Sequence, residues 1–591
     1  LEENVKTLKQ YRNLFSKYLG PQWLSVLLLV LLILSHIGLQ LVNPQLVRAF
    51  IDKAGTGGAL EELTVTALLF LGVAVASHAV SLWVACLGQS VAWAATNALR
   101  LDLTLHCLRL DMSFHKARTP GELIERVDGD VTDLRNFFSQ MVIRLLGNGL
   151  LALGILALLF REDWRVGLLG TTYVILAVAF LRRVQKPASR AWGDSRQANA
   201  EMFGFLGERL GGTEDIRANA GEPHVMGQFY RLMRALLHKG RRARLMGNLT
   251  FVVGYSVFML AVIAALGIGA SLFLKGLVTI GTVYLMVQYV NKLYEPLQEI
   301  QRQIADLQRA AASVGRVNEL LHTQPRLVED VSAVLPSGAL SVVFDGVSFG
   351  YDDGGAGGNG ADSVLDGISF DLEPGKVLGL LGRTGSGKTT LSRLLFRLYD
   401  PTAGAISLGG ADVRAVGLSD LRRRVGMVTQ DVQLFGASVR DNLTFFNAQF
   451  SDGQLQAVLK ELGLWDWVQA LPDGLDTTLE PGGKGLSAGE AQMLAFARVF
   501  LKDPGLVILD EASSRIDPAT ERLLERAVDR LLEGRTAVII AHRLATVQRA
   551  DEIVILEGGS VCECGPRQVL ANDPSSRFYG LLQTGLEEVL V

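Results

Sequence analysis

The run Gly382-Arg383-Thr384-Gly385-Ser386-Gly387-Lys388-Thr389 fits the pattern G-x-x-x-x-G-K-[ST] at every fixed position. Its chemistry is that of a phosphate cradle. Glycines let successive backbone N–H groups, here those from Arg383 to Thr390, turn toward one point, and the start of a helix adds donors and a positive dipole end. Lys388 supplies a point charge for the outer phosphates of a nucleoside triphosphate, and Thr389 a hydroxyl for Mg2+. A second chemical signal follows later in the chain, where Leu506-Val507-Ile508-Leu509 ends on Asp510-Glu511. Asp510 suits a metal ligand acting through water, and Glu511 suits a base that polarises an attacking water. Phosphoryl transfer needs positioning and charge neutralisation more than covalent help.

Such groups need strands that end together. Leu340 to Phe344, Val377 to Leu381, Gly426 to Val428, Leu506 to Leu509, Ala537 to Ala541 and Glu552 to Leu556 are short apolar runs separated by helical stretches. That alternation predicts an α/β domain with a largely parallel core sheet, and ligands in such sheets bind at the C-terminal strand edge. The glycine-rich tract from Asp352 to Asp362 reads as a hairpin insertion with no chemistry of its own.

The first half of the chain has a different solvent. Apolar windows long enough to cross about 30 Å of hydrocarbon centre on Trp23 to Val42, Leu63 to Leu87, Met141 to Phe160, Leu168 to Val184, Thr250 to Leu274 and Ile280 to Leu297. Arg and Lys concentrate in the N-terminal segment and in the two long connections, Thr96 to Gln140 and Arg182 to Leu245. By the positive-inside rule both termini and both connections are cytoplasmic. The connections lack turn clusters and read as continuations of the membrane helices, and residues 1–22 read as an amphipathic lead-in helix. The fold class expected is therefore an α-helical six-span membrane domain with long cytoplasmic helices plus an α/β P-loop nucleotide-binding domain. The boundaries are residues 1–322 for the membrane domain, 323–339 for a linker containing Pro325 and Pro336, and 340–591 for the nucleotide-binding domain.

The 57 basic and 60 acidic residues nearly balance, which argues against a nucleic-acid partner. Cys86, Cys107, Cys562 and Cys564 have neither disulfide nor zinc spacing. No cleavable signal and no peptidase segment are expected before the first span. The excess of Arg over Lys points to a GC-rich bacterial genome, and hence to a plasma (inner) membrane.

Taken together, these residues resemble the ABC exporter family, as a half-transporter of six spans fused to one nucleotide-binding domain. Leu486-Ser487-Ala488-Gly489-Glu490 is similar to the family signature L-S-G-G-Q. Gln430 matches the Q-loop, Asp517 the D-loop and His542 the switch histidine, and Tyr351 stands where the family stacks an aromatic on adenine. Thr119 to Asp130 resembles the first coupling-helix region, and Tyr294-Glu295-Pro296-Leu297 followed by Ser313 to Val317 resembles the exit from the sixth span. The resemblance implies ATP and Mg2+ as cofactors, with Thr389, Gln430 and Asp510 around the metal and Glu511, His542 and Gln430 as the catalytic set. It implies a second half-transporter as partner, two nucleotide domains closing head to tail so that Ser487 and Gly489 cover ATP held by the other chain. ATP-driven alternating access would then export or flip small amphipathic substrates across the bilayer.

Ala488 and Glu490 depart from the signature, and Arg515-Ile516 from the D-loop, while Glu511 is intact. An added Cβ restricts the backbone and a carboxylate could repel a nucleotide, so a heterodimer with one impaired ATP site is favoured over a homodimer. Two other readings stay open: an importer built on the exporter architecture, and an ATP-gated channel or regulator. His36, Gln40, Asn43, His78, Asn148, Gln288 and Asn291 are candidate cavity residues, with interhelical hydrogen bonding as the alternative for each.

Overall fold

Six long helices carry the first half of the chain: α1 Trp23–Gly55, α2 Leu60–Arg109, α3 Val142–Glu162, α4 Trp164–Gly211, α5 Glu222–Leu274 and α6 Ile280–His322. They come from a computed structural model that describes residues 14, 16–137, 139, 142–327, 331–351, 363–429, 432–510, 518–540 and 544–584. The 50 residues of α2 extend about 75 Å at 1.5 Å each, far beyond the hydrocarbon thickness. The expected continuation of membrane helices beyond the bilayer is thus what the chain forms. Among the described residues, α1, α2, α3 and α5 contain stretches long and apolar enough to span a membrane, and in α4 the apolar run is the shorter Trp164–Phe180. Helix α6 falls short of that composition because Gln288, Asn291, Lys292 and Glu295 interrupt it. Pro44 lies inside an α1 that stays helical to Gly55.

The chain divides into two compact units, one of residues 1–108 and 121–323, the other of residues 109–120 and 324–591. In the first, Tyr289, Leu285, Met286 and Leu293 of α6 are fully buried against Ile155 and Leu159 of α3, Tyr173 of α4 and Phe258 of α5. Polar groups stitch the helices where the core is apolar. Asp52 of α1 accepts from the Gly281 N–H at 2.9 Å and the Thr279 hydroxyl at 2.8 Å, so it caps the start of α6. A Cβ at Gly281 would lie 2.5 Å from that carboxylate, and glycine is what admits it. At the same end Arg48 reaches both oxygens of Glu162 at 2.8 Å. His36 meets the Ser77 carbonyl of α2 at 3.1 Å, an interhelical bond, and Gln40, one turn along α1, meets the His36 ring at 2.8 Å. Residues 1–13 of the expected lead-in lie outside the described residues, while Lys17 and Tyr18 both donate to Asp102 of α2, at 2.7 and 2.9 Å.

The segment that resembles the first coupling-helix region meets the one that resembles the exit from the sixth span. Asp130 is 1% exposed and receives the Arg316 Nε at 2.9 Å on one oxygen and at 3.2 Å on the other, with Nη2 also in contact. Ser313, fully buried, donates to Asp133 at 3.3 Å. Hydrogen bonding to Asp130 holds the Arg316 guanidinium charged more firmly than usual.

In the second unit, β3 Val377–Gly382, β6 Val425–Val428, β7 Leu506–Asp510, β8 Thr536–Ile540, β9 Glu552–Glu557 and β10 Ser560–Pro566 form one sheet in the order β10-β9-β3-β8-β7-β6. Its core pairs are parallel and only β10 runs antiparallel. A second sheet, β2-β1-β4-β5, is antiparallel and comprises β1 Val342–Gly350, β2 Ser363–Leu372, β4 Ala403–Leu408 and β5 Ala411–Asp412. The strands fall on all six expected runs as far as these are described, but the first, at β1, joins the antiparallel sheet rather than the parallel core. The tract at residues 352–362 lies outside the described residues.

Candidate functional site

The phosphate loop leaves β3 at Gly382 and enters helix α7 Lys388–Leu395 with Gly387 as its N-cap. Gly382, Gly385 and Gly387 have φ of +148°, +85° and +103°, a region that side chains disfavour. At Gly382 a Cβ would lie 2.4 Å from the Leu556 carbonyl oxygen, and at Gly387 2.5 Å from Leu365. Sequence and packing therefore demand glycine independently. Lys388 turns back on the loop, donating to the Gly382 carbonyl at 2.5 Å and to Arg383 at 3.0 Å. Burial pulls its pKa below the usual lysine value, and the Asp510 charge opposes that shift. Among the described residues the buried Ser386 hydroxyl has no hydrogen-bond partner, an orphan donor of the kind an anion satisfies. The loop thus fits a polyphosphate. Thr389 is exposed at its mouth and Thr390 is buried.

Strand order then assembles the rest. Strands β3, β8, β7 and β6 run parallel side by side, so their C-terminal ends, at Gly382, Ile540, Asp510 and Val428, form one edge. Lys388 and Asp510 fall within electrostatic reach of each other there, with β8 between their strands. Gln430, Glu511, Asp517 and His542 lie outside the described residues.

Tyr351 joins from the antiparallel sheet. Its hydroxyl meets Thr390 at 3.1 Å and accepts from Arg393 at 3.2 Å, and its ring lies edge-on to Phe349 and Tyr399. The Lys116 ammonium sits 4.1 Å from the centre of that ring. Lys116 belongs to the short helix Met112–Ala117, which is part of this unit, where Asp111 also accepts from the Arg326 N–H at 2.7 Å. Lys116 falls outside the coupling resemblance at Thr119 to Asp130, and a lone lysine on a short helix carries no signal until the ring beneath it is known.

At the signature, Ser487 caps helix α8 Ala488–Lys502. Its hydroxyl accepts from the Glu490 N–H at 3.2 Å, while the Glu490 carboxylate takes the Ser487 N–H at 2.8 Å and the Ser487 hydroxyl at 2.9 Å. Ala488 lies within the helix, where a Cβ is unstrained, so the anticipated backbone restriction is absent. The carboxylate is what sets this signature apart: it occupies the donors at the helix start and offsets the dipole. Gly489 is buried one residue further in. Arg498 fastens α8 to the segment after β6, donating to the Asn442 carbonyl at 2.7 Å and the Gln433 carbonyl at 3.0 Å, and burial brings its pKa down to about 10.

Two family models match the chain, the ABC transporter transmembrane region over residues 26–297 and the ABC transporter family over residues 365–514. The ABC transporter ATP-binding protein YfiC of Bacillus subtilis (strain 168) is 30% identical over 95% of the chain and 91% of its own length. The chain belongs to the ABC transporter family. The ATP-dependent lipid A-core flippase of Burkholderia pseudomallei (strain 1710b) is also 30% identical, over 80% of the chain and 78% of the flippase. A bacterial Atm1-family ABC exporter solved with ATP bound shares the fold, with a TM-score of 0.78 at 23% identity, covering 95% of this chain and 98% of that one. The chain is accordingly an ABC exporter half-transporter, an ATP-binding ATPase coupled to transport, and a multi-pass membrane protein that works as part of a dimer.

Proposed function

We propose that this half-transporter exports or flips amphipathic compounds, such as drugs, lipids or peptides, across a bacterial plasma membrane, pairing with a different half-transporter. The observation that carries the reading is the shared edge of Lys388, Ser386 and Asp510 in a chain whose other half is six long helices. Lys388 leaves the loop carbonyls to hold the outer phosphates, and the loop N–H groups with Ser386 orient them. Thr389, Asp510 and Gln430 would hold Mg2+, which neutralises phosphate charge when bound. Glu511 polarises the attacking water, His542 contacts the terminal phosphate and Asp517 lies at the dimer seam. A flippase of lipid A-core among the relatives agrees with amphipathic cargo.

The heterodimer rests on Glu490. A phosphate held by the partner must meet the start of α8, where a carboxylate already takes the Ser487 donors. One ATP site is thereby weakened, while the site built on Lys388 and Glu511 of this chain stays competent with the partner's signature.

The test is reconstitution in vesicles with ATP-dependent movement of a labelled phospholipid or dye. Glu511→Gln is expected to retain ATP binding and lose turnover by orders of magnitude. Unchanged ATPase in that variant would remove Glu511 from the base role, and cargo moving toward the nucleotide side would favour an importer. Native mass spectrometry should find a second ABC chain at equal stoichiometry, and two identical chains would end the heterodimer.

A further inference from the structure

Where α4, α5 and α6 converge, a cavity of about 130 Å3 opens between Tyr173, Phe180, Phe251, Gly254, Tyr294 and Gln298. The rings of Tyr173, Phe180, Phe251 and Tyr294 line it, and Phe258 and Tyr255 pack against three of them. Phe258 lies 4.4 Å from Tyr294 and 6.2 Å from Tyr173, centre to centre, and Phe251 stacks on Tyr255 at 6.1 Å. No charged side chain lines it among the described residues. Helix α5 enters the bilayer after Arg241, Arg242 and Arg244, so the cavity stands at the cytoplasmic end of the spans, where cargo would load.

Two polar groups in this wall make it more than a packing defect. Tyr173 is 4% exposed, and its hydroxyl has no hydrogen-bond partner among the described residues; the Gln298 amide likewise has none. Thr250, by contrast, is satisfied by the Met246 carbonyl at 2.8 Å. Within hydrocarbon an unpaired phenol or amide is costly, and polar groups there face protein, water or ligand. A dry cavity of about 150 Å3 is large enough for benzene, so this one holds a single ring rather than a whole amphiphile.

We propose that this cleft is a cargo subsite for a neutral aromatic ring bearing one hydrogen-bonding substituent, which Tyr173 and Gln298 read. The inference rests on the export reading and adds the chemical class of the cargo. An acyl chain would fill the space and leave both polar groups unpaired. A cation would find π faces and no counter-charge.

The probe is 14C-labelled phenol, a neutral single ring bearing one hydroxyl, titrated by equilibrium dialysis without nucleotide against the full-length protein in phospholipid nanodiscs, with empty nanodiscs as the reference. A Cβ at Gly254 meets nothing within 4 Å, so Gly254→Leu fills the cleft without disturbing backbone. Gly267→Leu adds the same side chain to α5 away from the cleft, where a Cβ also meets nothing. The expected result is saturable binding weakened at least tenfold by Gly254→Leu and severalfold by Tyr173→Phe, with Gly267→Leu within twofold of the parent. The proposal is overturned by absence of saturable binding, by Gly254→Leu binding within twofold, or by equal losses at Gly254 and Gly267. Displacement by lysophosphatidylcholine but not by aniline would also overturn it, making the cleft an acyl-chain slot. The two readings fail separately. Intact probe binding with no ATP-driven movement in the parent protein would defeat export and leave the subsite, and export of other cargo without probe binding would do the reverse.

Discussion

Truncating Arg316 to alanine should loosen the junction between the 125–136 segment and the end of α6 far more than truncating its partner. Asp130 is buried to 1% exposure, whereas the Arg316 side chain is 46% exposed. Arg316→Ala therefore leaves an ionised carboxylate in a dry site, and breaking such pairs costs about 3–5 kcal/mol; water can enter where the guanidinium stood, so about 3 kcal/mol is taken. Asp130→Ala leaves a guanidinium already half in water, at a cost of about 1 kcal/mol. The double variant should cost about 2 kcal/mol less than the two singles summed, because both remove one interaction. Hydrogen–deuterium exchange of the amides in residues 125–136 reads the local opening. At about 1.4 kcal/mol per decade, Arg316→Ala should lower protection roughly a hundredfold and Asp130→Ala by less than tenfold. Equal single effects, or strict additivity, would refute the reasoning, since either would mean the carboxylate is not desolvated.

At the signature, Glu490→Gln keeps the cap and removes the charge, so steady-state ATPase of the dimer should rise, whereas Ala488→Gly should leave it unchanged; the reverse pattern would locate the impairment in the backbone. Lys116→Ala clears the Tyr351 ring face of a cation–π contact of about 0.5–1 kcal/mol, so a trinitrophenyl-ATP titration should show two- to fivefold tighter binding, and weaker binding would mean that Lys116 backs the ring on the side away from the base. Lys502 donates to the Val425 carbonyl at 3.0 Å and burial draws its pKa down to about 8. The unfolded chain keeps that proton up to about 10.5 while the folded one releases it near 8, so stability of the nucleotide domain should rise with pH across this window. Lys502→Met should flatten that slope in thermal unfolding measured from pH 7 to 10.5, and an unchanged slope would assign it to another group.

Certain features were legible from residues alone because one physical cause dominates each. Strands β3, β7, β8 and β9 are buried on both faces, so they must be apolar throughout, and parallel pairing makes them so. The glycines of the phosphate loop are fixed by backbone geometry and the spans by hydrocarbon, and both requirements are written locally. Strands β2, β4 and β10 escaped because antiparallel strands with one wet face mix exposed and buried positions, as in Ser560–Pro566, and lack an apolar run. Lys292 was passed over among the intramembrane polar residues, and its contact with the Gln40 carbonyl at 3.5 Å depends on α1 and α6 lying together. Glu490 read as a charge facing a nucleotide, and only the helix start revealed it as a cap.

The sequence by itself determined the phosphate chemistry, the membrane half and the order of elements, since periodicity, glycine placement and apolar length each act over a few residues. Tertiary structure alone decided that residues 109–120 belong with the nucleotide domain, that Asp130 is buried on Arg316, and that three helices leave a ring-sized cleft walled by Tyr173. Those facts depend on residues far apart in the chain meeting in space, and no local energy term encodes such meetings.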